Sequence, residues 1–273
     1  MDNLQLKWVA CKLKYSHEPL LMKNAIACFA LCFLLMSCGN NQSPEVTASE
    51  KSKVVVDSSD VNDAAWINLF DGKSLSGWHS YGTNAPGTAW QVDSGTIYLR
   101  RGPKNKYQTA GGGDRVTNGE FDNFVFEIEW KISKGANSGI LFYVQEDTVR
   151  YKETWHSGFE LQVCDNEYNV DAHVHKRDAG DIYVLVPATS RAAKGYGQWN
   201  KVVVTCNNGK VEVTLNNTQN LSFNLWDDKW KQSIANSKFK KMPGFGSFKS
   251  GHIALQDHGA EVWYRNIRIK KSV

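Results

Sequence analysis

Residues 124–132 read FVFEIEWKI, and this stretch decides the fold class. Phe124, Phe126, Ile128, Trp130 and Ile132 fall on one face of an extended chain, and Glu127, Glu129 and Lys131 on the other. A period of two marks a half-buried β-strand, because successive side chains point to opposite faces. The same alternation continues outward. In 138–146, Ile140, Phe142 and Val144 alternate with Leu141, Tyr143 and Gln145; in 159–164, Phe159, Leu161 and Val163 alternate with Glu160, Gln162 and Cys164. Further strands are predicted at 199–206, 210–216, 251–257 and 261–270. Gly135-Ala136-Asn137, Asn207-Asn208-Gly209 and Asp257-His258-Gly259 punctuate these runs. The Asn-Gly step before Lys210 is a strong hairpin signal. One short helix is expected near 226–237. Helices do not alternate with the strands, so the pattern predicts an all-β, two-sheet antiparallel sandwich of jelly-roll type.

Upstream of this domain, residues 22–38 read MKNAIACFALCFLLMSC. Lys23 precedes an uncharged apolar run from Ala25 to Met36, too short for the ~20 residues that a bilayer span needs. That is the shape of a signal peptide, and Leu35-Met36-Ser37-Cys38 resembles a bacterial lipobox with Cys38 as the lipidated residue. A plain signal peptide with an incidental Cys38 is the other reading. Residues 1–21 hold mixed charges and no periodicity, so translation is expected to begin at Met22. The organisation expected is therefore a misassigned start (1–21), a lipoprotein signal (22–37), a polar tether (38–65) and one jelly-roll domain (66–273). The product would be lipid-anchored in the cell envelope, periplasmic or at the outer membrane.

The chain carries a formal charge of +4, and its first 37 residues contribute four Lys against two acids, leaving +2 for the rest. No basic run stands out, so the sequence has no nucleic-acid footprint. Aromatic residues make up 12%, with ten Trp. Rings match the C–H faces of sugars but also fill sandwich cores. After Cys38 only Cys164 and Cys206 remain. Both fall in predicted strands, where buried free thiols are commoner than a bridge.

Seven segments together carry a resemblance: FDGKSLSGWH (70–79), EWKISKGANSGILFYV (129–144), SGFELQVCD (157–165), AGDIYVL (179–185), GQWNKVVV (197–204), GHIALQDHG (251–259) and VWYRNIRIK (262–270). In order and spacing they resemble the 3-keto-disaccharide hydrolase family, long known as a domain of unknown function. The resemblance covers 66–271. It implies a concanavalin A-like lectin/glucanase sandwich whose concave face binds sugar, and hydrolysis of glycosides already oxidised to a ketone at C3. Two positions depart from the family pattern, Tyr143 and the Asp181-Ile182 step, and are expected to tune sugar choice.

The residues themselves point to three places. If Phe159, Leu161 and Val163 enter the core, Glu160 and Gln162 face the other way, and on a middle strand of the sandwich they line a groove or plain solvent, with Asp165 at the strand end. Glu160 is the first candidate for a catalytic carboxylate. If Ile253 and Leu255 point inward, Gln256 and His258 share the opposite face; His258 suits acid–base work near neutral pH or serves as a turn residue. Asp257 would tie down that turn or pair with Arg265. Third, Asp171, His173 and His175 would share one face of a strand and could ligate a divalent metal, or belong to a polar loop. Tyr183 and Trp155, Trp199 and Trp263 are candidate sugar platforms.

A 3-keto group acidifies the hydrogen on C2, so elimination followed by hydration can cleave the glycoside. That needs a base, an acid and a group to polarise the ketone. Glu160 and His258 are expected to share the first two roles, and Arg265 or the Asp171 cluster the third. Gln162, Asp165, Tyr183, Gln256, Arg265 and Trp199 complete the expected substrate site. No cofactor is expected to be required, and a divalent metal at Asp171, His173 and His175 is the one candidate. An envelope oxidoreductase would supply the oxidised sugar. The alternative is a carbohydrate-binding lipoprotein without catalysis.

Overall fold

The computed structural model describes residues 65–272 apart from 84 and 86. Cys38, the signal segment and all but the last residue of the tether lie outside the described residues. In chain order the strands are β1 (Ile67–Asn68), β2 (Trp78–Ser80), β3 (Trp90–Asp93), β4 (Thr96–Leu99) and β5 (Lys104–Asn105). Next come β6 (Gln108–Thr109), β7 (Arg115–Thr117), β8 (Phe124–Ile132), β9 (Asn137–Val144) and β10 (Phe159–Cys164). After them follow β11 (Asn200–Asn207), β12 (Lys210–Leu215), β13 (Thr218–Asn224), the helix α1 (Asp228–Ala235), β14 (His252–Leu255) and β15 (Val262–Lys271).

Apart from the separate β5–β6 hairpin, these strands form two antiparallel sheets. The large sheet runs β13-β12-β11-β8-β15-β4-β3, with β1 pairing to β15; the small sheet runs β10-β9-β14-β7-β2. The predicted sandwich is therefore observed. β8 sits at the centre of the large sheet, and its alternation is complete: Phe124, Phe126, Ile128, Trp130 and Ile132 are buried, and the residues between them are not. From the small sheet Ile140, Phe142, Phe159, Leu161, Val163, Ile253 and Leu255 enter the same core. Phe124 stacks on Phe142 at 5.7 Å between ring centres. Each such fully buried side chain contributes about 1.5–3 kcal/mol by leaving water.

Local chemistry sets the ends of these elements. Asn208 and Gly209 both take positive φ, 47° and 85°, as the tight β11–β12 hairpin requires. The Asp227 side chain accepts from Trp230 N at 2.7 Å and starts α1. Trp230 then lies buried against Phe223 and Phe159.

Three expectations change. β10, read as a middle strand, is the last strand of its sheet. Segment 179–186 covers its free edge through Gln162 N→Asp181 O, Gly180 N→Gln162 O and Tyr183 N→Glu160 O, each 2.9 Å. The alternation in β9 breaks at Tyr143, whose φ is +59°. Tyr143 turns into the core and its hydroxyl donates to Asp122 O at 2.6 Å, so it does not face a sugar. Val144 is thereby moved to the outer face, into a small apolar cluster with Val116, Leu141 and Ala254 under Tyr81 and Trp155. Finally, residues 170–173 form a short 3-10 turn rather than a strand. Cys164 and Cys206 are free buried thiols on different sheets.

Candidate active site

The outer face of the small sheet, the one turned away from the core, carries a pocket of about 200 Å³. Glu160 and Gln162 from β10, Asn137 from β9 and Gln256 beyond β14 form its floor, and Asp171, Tyr183, Trp155, Tyr107, Phe239, Lys238 and His258 its walls. Alternation explains the floor. Phe159 and Leu161 point inward, so Glu160 and Gln162 must point outward; Ile253 and Leu255 do the same for Gln256.

Glu160 is buried, with 8% of its surface exposed. Its carboxyl lies flat over Gly139 of the neighbouring strand, where a Cβ would stand 2.3 Å from Oε1. With the Gln162 amide nitrogen turned toward the sheet it donates to Ser138 O at 3.0 Å and to Glu160 Oε1 at 3.2 Å. Burial pushes the Glu160 carboxyl up to about 8; the nearby Lys238 ammonium opposes this without reversing it.

His258 sits in the turn after β14. Its ring lies 5.5 Å from that of Tyr107, and its backbone oxygen accepts from Lys104 Nζ at 3.4 Å. Burial, with Lys104 second, lowers the imidazole below its ordinary value. Two titratable groups in one pocket are thus pushed to opposite sides of neutrality: a carboxyl that keeps its proton and an imidazole that lacks one.

Asp257 does not pair with Arg265. Its carboxylate accepts from Thr109 N and Oγ1, Gly113 N and Gly259 N, all within 3.1 Å. It therefore fixes the turn that presents His258. Tyr107 in turn donates to Glu153 Oε2 at 2.9 Å and accepts from Trp155 Nε1 at 3.3 Å, which joins two aromatic walls.

Several expected site residues lie elsewhere. Arg265 is an outward residue of β15, because Tyr264 beside it points into the core; it bonds Glu129 at 2.7 Å and covers the Trp199 ring at 3.9 Å. Arg265, Trp199 and Trp263 therefore occupy the far face of the large sheet. Asp165 is buried and accepts from Gly135 N and Glu167 N, closing a turn rather than lining the pocket. The Asp171–His173–His175 trio is dispersed by the 3-10 turn. Asp171 faces the pocket and bonds Arg177 at 2.8 Å and Asn137 at 3.2 Å, whereas His173 lines a separate depression with Asp165 and Arg191. Among the described residues no group of three or more His, Cys, Asp or Glu is placed to hold a metal ion. Asp181, expected to tune sugar choice, is buried and accepts from Asp178 N and Ala188 N.

Lys238 was not visible as a site residue, because it follows the predicted helix and matches no spacing rule. Its side chain as a whole is exposed at the pocket mouth, yet its ammonium lies against rings, 4.5 Å from Tyr183 and 5.4 Å from Trp155. Lost hydration there pulls it below the ordinary lysine value.

Residues 65–270 match the family described as the 3-keto-alpha-glucoside-1,2-lyase-like domain. A 3-keto-disaccharide hydrolase of Bacteroides thetaiotaomicron is 33% identical over 280 aligned positions, covering 90% of this chain and 97% of that protein. A solved Parabacteroides distasonis structure, assigned as a glycosyl hydrolase, superposes with a TM-score of 0.68 at 29% identity, over 76% of this chain and 94% of that one. A second from the same organism, at 21% identity and a TM-score of 0.58, shares the fold. By that kinship the chain is a glycosidase-type hydrolase, and it belongs to the 3-keto-alpha-glucoside-1,2-lyase-like domain family.

Proposed function

We propose that the chain cleaves glycosides oxidised to a ketone at C3, by elimination and rehydration, one sugar unit at a time. The observation that carries the reading is the meeting of Glu160, His258 and Lys238 in one pocket. Its volume lies below the ~300–1,000 Å³ of most small-molecule sites, which suits a single pyranose rather than an extended glycan. Tyr183, Tyr107 and Trp155 supply ring faces for it. An ordinary glycosidase would need two working carboxylates across the bond. Here the second pocket carboxylate, Asp171, is already engaged by Arg177 and Asn137.

A 3-keto sugar needs different equipment, and the pocket matches it. Neutral His258 takes the proton from C2. The electron pair forms an enolate whose oxygen meets the Lys238 ammonium. The enolate then expels the C1 oxygen, which takes the proton that Glu160 has kept. Water adds at C1, C2 regains a proton, and the net reaction is hydrolysis. The ketone must come from a prior oxidation at C3, the work of an oxidoreductase acting upstream.

Purified chain is expected to release glucose or aglycone from 3-keto-trehalose or a 3-keto-β-glucoside and to leave the unoxidised sugars intact. Glu160→Gln and His258→Asn should each lower turnover by ~10²–10⁴-fold, the usual worth of a positioned acid or base. Equal turnover by Glu160→Gln would remove that carboxyl from the reaction, and binding without turnover would make the chain a carbohydrate-binding module.

The chain is also proposed to be an exported lipoprotein held to the cell envelope through Cys38. Fatty-acid labelling of cells making the chain should mark it, and Cys38→Ala should abolish the label. A labelled Cys38→Ala chain would refute the anchor.

A further inference from the structure

We infer that Asp114, a buried residue that does not line the pocket, is the positioning residue that locks the His258 turn to the aromatic walls. The inference rests on the proposed reaction only for its turnover assay.

Asp114 sits just before β7 with 3% of its surface exposed. Its Oδ1 accepts from the backbone N–H of Asp257 at 2.9 Å and from Gln108 Nε2 at 3.2 Å, and its Oδ2 accepts from the Thr154 hydroxyl. Those three donors belong to three different pieces of the pocket. Asp257 precedes His258. Gln108 follows Tyr107 in the β5–β6 hairpin. Thr154 opens the 3-10 turn Thr154–His156, which carries Trp155. One carboxyl therefore ties together the three segments that present His258, Tyr107 and Trp155.

The arrangement is costly, which argues against an incidental role. No cation lies within ion-pair distance of Asp114 among the described residues, and Asp257 and Glu153 are close enough to repel its charge. Burial pushes its carboxyl up to about 7. A buried polar group held this way specifies one arrangement of its donors, because each donor would be orphaned in another. Asparagine can replace the carboxyl. Its oxygen accepts from Asp257 N, and its amide donates to the Thr154 hydroxyl, which rotates to accept.

The test compares Asp114→Ala with Asp114→Asn by two readouts. The first is the His258 imidazole titration followed by NMR, which needs no substrate. His258 titrates low because it is buried. In Asp114→Ala it is expected to move back toward the ordinary 6.5, and in Asp114→Asn to stay depressed. The second is turnover of the 3-keto-glucoside. Asp114→Ala should lower kcat by ~10²-fold with a smaller change in KM, the cost of a misplacement near 1 Å, and Asp114→Asn should restore most of it. An unmoved His258 titration in a folded Asp114→Ala overturns the inference. So does an Asn variant as impaired as the Ala variant in both readouts. If wild type does not turn over the keto-sugar, the proposed reaction falls, while the titration still decides the role of Asp114. If Asp114→Ala does not fold, Thr154→Val takes its place. It frees the Trp155 wall alone and should lower kcat, and an undiminished kcat in that variant overturns the inference.

Discussion

Glu160 and His258 show how one pocket prepares an acid and a base at the same pH. Burial disfavours the charged form of each, so the carboxyl rises to about 8 and the imidazole falls below 6.5. Activity that needs protonated Glu160 and neutral His258 should then follow a bell. The acid limb of kcat/KM is expected below the ordinary histidine value, and the alkaline limb near pH 8. In Glu160→Gln the alkaline limb should vanish from whatever activity remains. A pH–rate profile of the two proteins checks this, and an alkaline limb that persists in Glu160→Gln would give it to another group.

At the scale of elements, the β9–β10 pair builds the pocket floor. Gln162 faces Gly139 and Glu160 faces Leu141 across the pair. Gly139 has no side chain where the Glu160 carboxyl lies, so the missing Cβ is what lets the acid fold down onto the sheet. Gly139→Ala should lift Glu160 out of place and lower kcat by ~10²-fold, with the sandwich still folded. Circular dichroism and turnover together test it; full activity would mean that the flat pose is unimportant. The 179–186 segment does a second job on the same strand. It pairs with the β10 edge, which satisfies backbone groups that would otherwise be open to another chain, and in doing so it seats Tyr183 beside Glu160.

Across the whole molecule the site works against stability. Glu160 and Asp114 both titrate higher in the folded chain than their ordinary 4.5 and 3.8. The native state therefore holds protons that the unfolded state has released. Its stability is fullest below those ordinary values and declines as pH rises toward the folded values near 7 and 8. Thermal melts should show Glu160→Gln gaining on wild type as pH rises from about 5 to about 9, by ~2–4 °C for each kcal/mol recovered. A gap independent of pH would show that the carboxyl is not held protonated.

Much of this was legible in one dimension. The period of two in 124–132 and 159–164 sufficed for the sandwich and for the outward direction of Glu160 and Gln162, because a strand can bury only one of its faces. The seven ordered segments were enough for the family. Short strands such as β2 and β7, three residues each, carry too little pattern to be read. The site was legible only in part, because it gathers residues from segments far apart in the chain. Spacing alone grouped Asp171 with His173 and His175; a 3-10 turn separates them. Residue type alone put Arg265 and Trp199 at the sugar, although the core stands between the large sheet's outer face and the pocket. Glu160, His258 and Tyr183 were expected in one site from the sequence; only the tertiary structure decided that Lys238 lines the same pocket and that Arg265 and Trp199 do not. A local pattern reports which face a residue takes, but convergence of loops from both ends of a sheet depends on how the strands are ordered, and no local period records that.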